Sequence, residues 1–137
     1  MKILVICGLT ASGKTTLALK IAKKIGNTSI ISVDSRQAYQ GLPVLSGQDI
    51  PLGFTRHKDN SCKYQNLPGV YFSKDFSPEV VLRLRRTSGV ESILNSNIHI
   101  WGVDQVPPSK TLNISSFTKF IWKVIKKETL AGRKIII

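Results

Sequence analysis

The chain has 137 residues, 42% of them hydrophobic, which suits one domain with one core and excludes a globally disordered chain. Twenty Lys and Arg stand against eight Asp and Glu, a formal charge of +12 with a pI near 10.1. So large an excess favours a polyanionic partner such as nucleic acid, while two cysteines without CxxC spacing or clustered histidines argue against a zinc centre and fit a reducing cytoplasm.

Residues 2–7, KILVIC, are a continuous apolar run and read as a strand covered on both faces, with Cys7 a small buried thiol. The run is far too short for a signal peptide or a membrane span, so a cytoplasmic chain with no membrane association is expected. A Gly-rich loop follows. Leu17, Ala18, Ile21, Ala22 and Ile25 then recur at helical spacing, with Lys20, Lys23 and Lys24 on the other side, and Gly26 reads as a stop, giving a helix over 14–25. Residues 29–33, SIISV, read as a second strand neighbouring the first and ending at Asp34. Strand, loop, helix and strand make a right-handed βαβ unit with a parallel sheet.

Residues 50–97 differ. Pro51, Gly53, Pro68, Gly69, Pro78 and Gly89 punctuate a mostly polar stretch that reads as an irregular insertion, largely loop. Ser77-Pro78-Glu79 marks a helix start and Gly89 a stop, so a short basic helix is expected at 78–87. Residues 98–103, IHIWGV, read as a strand. Phe117, Phe120, Ile121, Val124 and Ile125 form an apolar stripe with Lys119, Lys123, Lys126 and Lys127 off it, an amphipathic helix over 114–130. Gly132 leads into RKIII, residues 133–137, the start of a buried strand, and the chain is expected to be the front part of a longer protein. The fold expected is α/β: one P-loop nucleoside-triphosphatase-like domain over 1–137, a parallel sheet with flanking helices, incomplete at the C-terminus.

The loop reads GLTASGKT: Gly8, Leu9, Thr10, Ala11, Ser12, Gly13, Lys14 and Thr15. GxxxxGK[ST] between a strand and a helix is a strong phosphate-binding pattern. The glycines let successive amides point inward as an anion nest, and the helix N-terminus adds its dipole. Lys14 supplies a point charge to the terminal phosphate, and the Thr15 hydroxyl can ligate Mg²⁺. The pattern establishes a phosphate, but the phosphate can belong to a nucleotide such as ATP or to a leaving group. Asp34 stands beyond the carboxyl end of a strand, where ligands of open α/β sheets bind. There it can coordinate Mg²⁺ through water, accept a proton, or cap the turn that follows.

TASGKT, followed by IISVDSRQAYQGL at residues 30–42, resembles the tRNA dimethylallyltransferases, or isopentenyl-pyrophosphate transferases. Gly102-Val103-Asp104 with Pro108, Ile114 and Phe117 is a second similarity, and the closing GRKIII is similar to the family strand that leads into a GGTG loop. The resemblance covers roughly residues 1–49 and 98–137. The chain departs from it at Gln48-Asp49, where the family has Lys-Pro, and at His99-Ile100-Trp101, where it has Pro-His-His. The resemblance implies transfer of a dimethylallyl group from dimethylallyl diphosphate to the exocyclic amine of an adenosine beside the anticodon of tRNA. Residues 8–15 would then hold the pyrophosphate of the leaving group, with Mg²⁺ at Thr15. Asp34 would be the general base, Thr10 would position the substrate, and Ser35, Arg36 and Gln37 would join Asp34 in touching the tRNA. A monomer is expected.

His57 and His99 have no motif partner and read as structural or solvated. Trp101 and Trp122 read as core, and Arg83, Arg85 and Arg86 as a solvated face. Two other functions fit the loop: a small-molecule kinase in which Asp34 deprotonates a hydroxyl and ATP is the donor, and a non-catalytic nucleotide- or RNA-binding module.

Overall fold

The computed structural model describes residues 2–40, 54–57, 63–64, 67–68, 70–73 and 98–137. In chain order these form β1 (Ile3–Leu4), α1 (Lys14–Ile25), β2 (Thr28–Ile31), β3 (Phe54–His57), β4 (Lys63–Tyr64), β5 (Leu67–Pro68), β6 (Val70–Ser73), β7 (Ile98–Trp101), α2 (Ile114–Leu130) and β8 (Lys134–Ile136). The main sheet runs β1-β8-β2-β7-β6-β3. Its first four strands are parallel, as the apolar runs predict, with Ile135 opposite both Ile3 and Ser29, and Ile31 opposite Trp101.

One expectation is corrected by this order. β1 and β2 are not neighbours, because β8 lies between them and pairs with both. Each crossover therefore steps over a strand. The β1-to-β2 step and the β7-to-β8 step run in opposite directions across the sheet, so crossovers of one hand must place their helices on opposite faces. The packing agrees. Ile31, Trp101 and Ile135 face Phe117, Phe120, Ile121, Val124 and Ile125 of α2. Ile98 and Ile136 face Ala18 and Ala22 of α1. Two methyl side chains let α1 approach the sheet closely, while α2 fills its larger gap with Phe117 and Phe120, whose stacked rings have centroids 6.0 Å apart.

β1 is an edge strand, not one covered on both faces. Its ladder with β8 extends one step beyond the strand, through the Ile6 N–H to the Ile137 carbonyl (2.7 Å) and the Ile137 N–H to the Leu4 carbonyl (2.8 Å). Val5 is 62% exposed, and Cys7 is an exposed thiol, because the chain leaves the sheet there for the loop. The insertion also departs from expectation: β6 runs antiparallel to β7 and to β3 and widens the main sheet, while β4 and β5 form a hairpin-like pair. These strands are short and set among Gly and Pro, which is why they read as loop. The helix expected at 78–87, Arg83, Arg85 and Arg86 within it, and Cys62 lie outside the described residues. His57 ends β3.

β2 and β7 are tied at their carboxyl ends. The Ser32 N–H donates to the Trp101 carbonyl (2.9 Å), and Gly102 follows at φ 83°. A Cβ at Gly102 would sit 2.1 Å from the Ser32 carbonyl oxygen. Gly102→Ala therefore combines a forbidden contact with a left-handed backbone, and should destabilise the fold by more than about 2 kcal/mol. Urea unfolding measures this; an unchanged midpoint would contradict the close approach.

At the other end of the sheet, three strands converge on one carboxylate. Glu128 of α2 is 2% exposed. It accepts from Ser29 Oγ, lies 2.8 Å from His99 Nδ1, and is 3.3 Å from Arg133 Nε just before β8. His99 is thus structural, as expected. Burial pushes the Glu128 carboxyl up, but hydrogen bonds from His99 and Ser29, then the charges of His99 and Arg133, outweigh it and hold the carboxyl below its ordinary value. A group depressed in the folded state stabilises above its unfolded pKa, and that contribution is lost as pH falls through the folded value. Glu128→Gln should cost about 1.5–3 kcal/mol at neutral pH. Urea midpoints of the two proteins should converge in acid; a gap constant with pH would refute the ionised assignment.

Candidate phosphate-binding site

The loop leaves β1 and curls back before α1. Ala11 (φ 62°) and Gly13 (φ 83°) take left-handed backbone, and the Ser12 N–H donates to the Leu9 carbonyl (3.3 Å). Gly8 faces the loop interior, where a Cβ would meet Ser12 Oγ at 3.1 Å. Gly13 is the N-cap of α1 and has no side chain to accept from the first turn, which carries no acidic residue. The helix therefore presents its N-terminal amides and the positive end of its dipole without an internal counter-charge. Such a terminus fits an anion.

Lys14 folds back across the loop. Its Nζ donates to the carbonyls of Gly8 (2.9 Å) and Leu9 (2.6 Å). The ammonium thus stands at the loop's rim and holds its two ends together. Thr15 is half-buried in the first turn beside it, whereas Leu9, Thr10 and Ala11 are exposed. Among the described residues no three His, Cys, Asp or Glu side chains gather as a metal site. A Mg²⁺ ion would be held instead by the Thr15 hydroxyl together with phosphate oxygens, an oxygen donor set that suits it.

Asp34 follows β2 on an exposed turn. Its Oδ1 accepts from the Arg36 N–H (2.9 Å), so one oxygen caps the turn, as one of the alternatives expected. β8 separates β1 from β2, which puts the axis of Asp34's strand about 9–10 Å from that of the loop's strand, two strand spacings. Asp34, Ser35 and Arg36 are exposed. Gln37 turns inward, and its Oε1 accepts from Ser32 Oγ (2.7 Å). The following residues are buttressed by the segment after β7. The Asp104 N–H donates to the Gln37 carbonyl (3.0 Å), the Val106 N–H to Ala38 (2.8 Å) and the Gln40 N–H to Val106 (2.8 Å). Tyr39 Oη accepts from the Leu112 N–H (2.9 Å), fixing the approach to α2. The two stretches that carry the resemblance, 34–39 and 102–104, thus lie against each other. Ser32 was not singled out from the sequence, although its place before Asp-Ser is a turn signal.

The arrangement offers a loop with a lysine at its rim before an uncapped helix and, after a strand two places along the sheet, an exposed carboxylate on a braced turn. That combination can hold a phosphate and take a proton from something bound beside it.

Known proteins are similar to the chain in sequence. Residues 1–58 match the isopentenyl transferase family model. The chain is similar to tRNA dimethylallyltransferases of Caulobacter sp. (strain K31), 52% identical over 50 residues, covering 36% of this chain and 16% of that protein. It is also similar to those of Pelodictyon phaeoclathratiforme, 39% identical over 84 residues (60% and 26%), and Chlorobaculum parvum, 32% identical over 105 residues (74% and 33%). The chain thus matches at most 33% of the length of these relatives. No solved structure matches it. The resemblance expected from TASGKT and DSRQ is borne out for the N-terminal part of the chain.

Proposed function

We propose that the protein carrying this chain transfers a dimethylallyl group from dimethylallyl diphosphate to the exocyclic amine of an adenosine beside the anticodon of tRNA. The observation that carries this reading is the N-terminus of α1, which no side chain caps, with Lys14 at the rim of the loop before it. The isopentenyl transferase match and the names of the relatives support it.

In this reading the amides of residues 8–15 and Lys14 bind the diphosphate, and Thr10 positions the donor. The bond between the dimethylallyl carbon and the diphosphate oxygen breaks as the bond from that carbon to the adenine nitrogen forms. Pyrophosphate leaves with the bonding electrons, and its charge is met by amides and the ammonium. The nitrogen's proton passes to Asp34. Mg²⁺ at Thr15, when bound, neutralises part of the diphosphate charge. Ser35, Arg36 and Gln37 contact the tRNA next to the target base, which leaves its stack to reach the site. The +12 charge supplies phosphate contacts along the tRNA.

Titration calorimetry with dimethylallyl diphosphate and with ATP, each with Mg²⁺, tests the donor. Tighter binding of the prenyl diphosphate is expected. Binding of ATP alone would replace this reading with the kinase one.

A further inference from the structure

The outer face of α2 carries a tryptophan that packing does not explain. Trp122 is 60% exposed, against the expectation that it is core, whereas Trp101 is fully buried as expected. The apolar stripe of α2 that meets the sheet is Phe117, Phe120, Ile121, Val124 and Ile125, and Trp122 falls outside it. Lys119 and Lys126 stand three and four residues from the indole, on its side of the helix, and Lys123 is its neighbour in sequence; all three are exposed. The one acidic residue of the helix, Glu128, points inward and is buried, so the helix itself puts no carboxylate on this face. A large indole in water, ringed by cations with no counter-charge from its own helix, has the chemistry of a platform for an unpaired base and its phosphates.

We propose that this face of α2 binds single-stranded RNA, with one base stacked on Trp122 and neighbouring phosphates on Lys119, Lys123 and Lys126. α2 packs on the face of the sheet opposite α1, so this contact is distinct from the phosphate loop. It rests on the exposed indole and its lysines, and stands whether or not the loop holds a prenyl diphosphate. Charge complementarity selects the occupant: a helix face of three lysines, with no carboxylate from its own helix, repels another copy of a chain whose net charge is +12.

The probe is an unstructured adenosine dodecamer, titrated against the protein while indole emission and quenching by acrylamide are followed. Binding should quench the exposed indole and shield it from acrylamide. Trp122→Ala should weaken the dodecamer by roughly five- to a hundred-fold, the worth of one stacked base. Lys119→Gln, Lys123→Gln and Lys126→Gln together should flatten the dependence of log affinity on log salt by about 2, as expected of three lost single-strand phosphate contacts. All these side chains are exposed, and circular dichroism checks that the variants fold. Unchanged dodecamer affinity in Trp122→Ala would overturn the proposal. So would equal Trp122 dependence for duplex RNA, which offers no free base. Self-association abolished by Trp122→Ala, with RNA binding untouched, would assign the face to a protein contact instead.

Discussion

Asp34→Asn should lower the rate of dimethylallyl transfer by about two to four orders of magnitude, the usual worth of a positioned general base. The substitution is selective because Asn keeps an oxygen at the position that accepts from the Arg36 N–H, so the turn survives. What is lost is the ability to take a proton. Binding of dimethylallyl diphosphate should change little, since in the proposed mechanism the loop amides and Lys14 carry the diphosphate. Affinity for tRNA should stay the same or rise slightly, because a negative charge near a polyanion is removed. The rival role, Mg²⁺ coordination through water, makes a different forecast: weak binding of the Mg²⁺–diphosphate complex, rescued by added Mg²⁺. Single-turnover transfer to an anticodon stem-loop across a Mg²⁺ series separates the two. Rescue would remove Asp34 as base, and unchanged turnover would remove it from catalysis altogether. Full loss in Asp34→Ala but full activity in Asp34→Asn would leave it only the turn-capping role.

Lys14→Ala should weaken binding of pyrophosphate with Mg²⁺ by roughly ten- to a hundred-fold, from loss of a charge-assisted contact of about 1.5–3 kcal/mol. The geometry gives this variant two effects on the loop. In the proposed mechanism the ammonium is a counter-charge for the phosphate, and its bonds to the Gly8 and Leu9 carbonyls hold the loop's rim closed. Global stability should barely move, because both bonds are exposed and lie within a few residues of Lys14. Calorimetry for affinity and urea unfolding for stability read the two effects separately. Equal affinity in both proteins would take the loop out of the mechanism.

Local periodicity made the helices and the parallel strands legible. α1 and α2 run over the residues their apolar stripes mark, and the stripe of α2 already placed Trp122 off its core face. Reading Trp122 as core followed the habits of the residue type and ignored that spacing. Strand order was not legible, because nothing in KILVIC or SIISV encodes which strand lies between them; the position of β8 is fixed by pairing with residues more than a hundred positions away. The same limit hid the edge position of β1, and with it the exposure of Cys7. The shape of the Gly-rich loop was legible because its signals are local: a glycine at left-handed φ, a helix start and a lysine within eight residues. The bracing of 34–40 by 104–106 was not, since apart from the Gln40 side-chain bond to the Asp104 carbonyl it consists of main-chain bonds, which no side-chain pattern marks.

The central claim is that the loop grips a leaving pyrophosphate and that no phosphoryl group moves. It is tested most directly with dimethylallyl diphosphate labelled with tritium in the prenyl group and ³²P in the diphosphate, incubated with the intact protein, Mg²⁺ and an anticodon stem-loop RNA. Tritium should appear in the RNA, with all ³²P in free pyrophosphate. ³²P in the RNA, or no transfer of tritium by a protein that binds both substrates, would contradict the account.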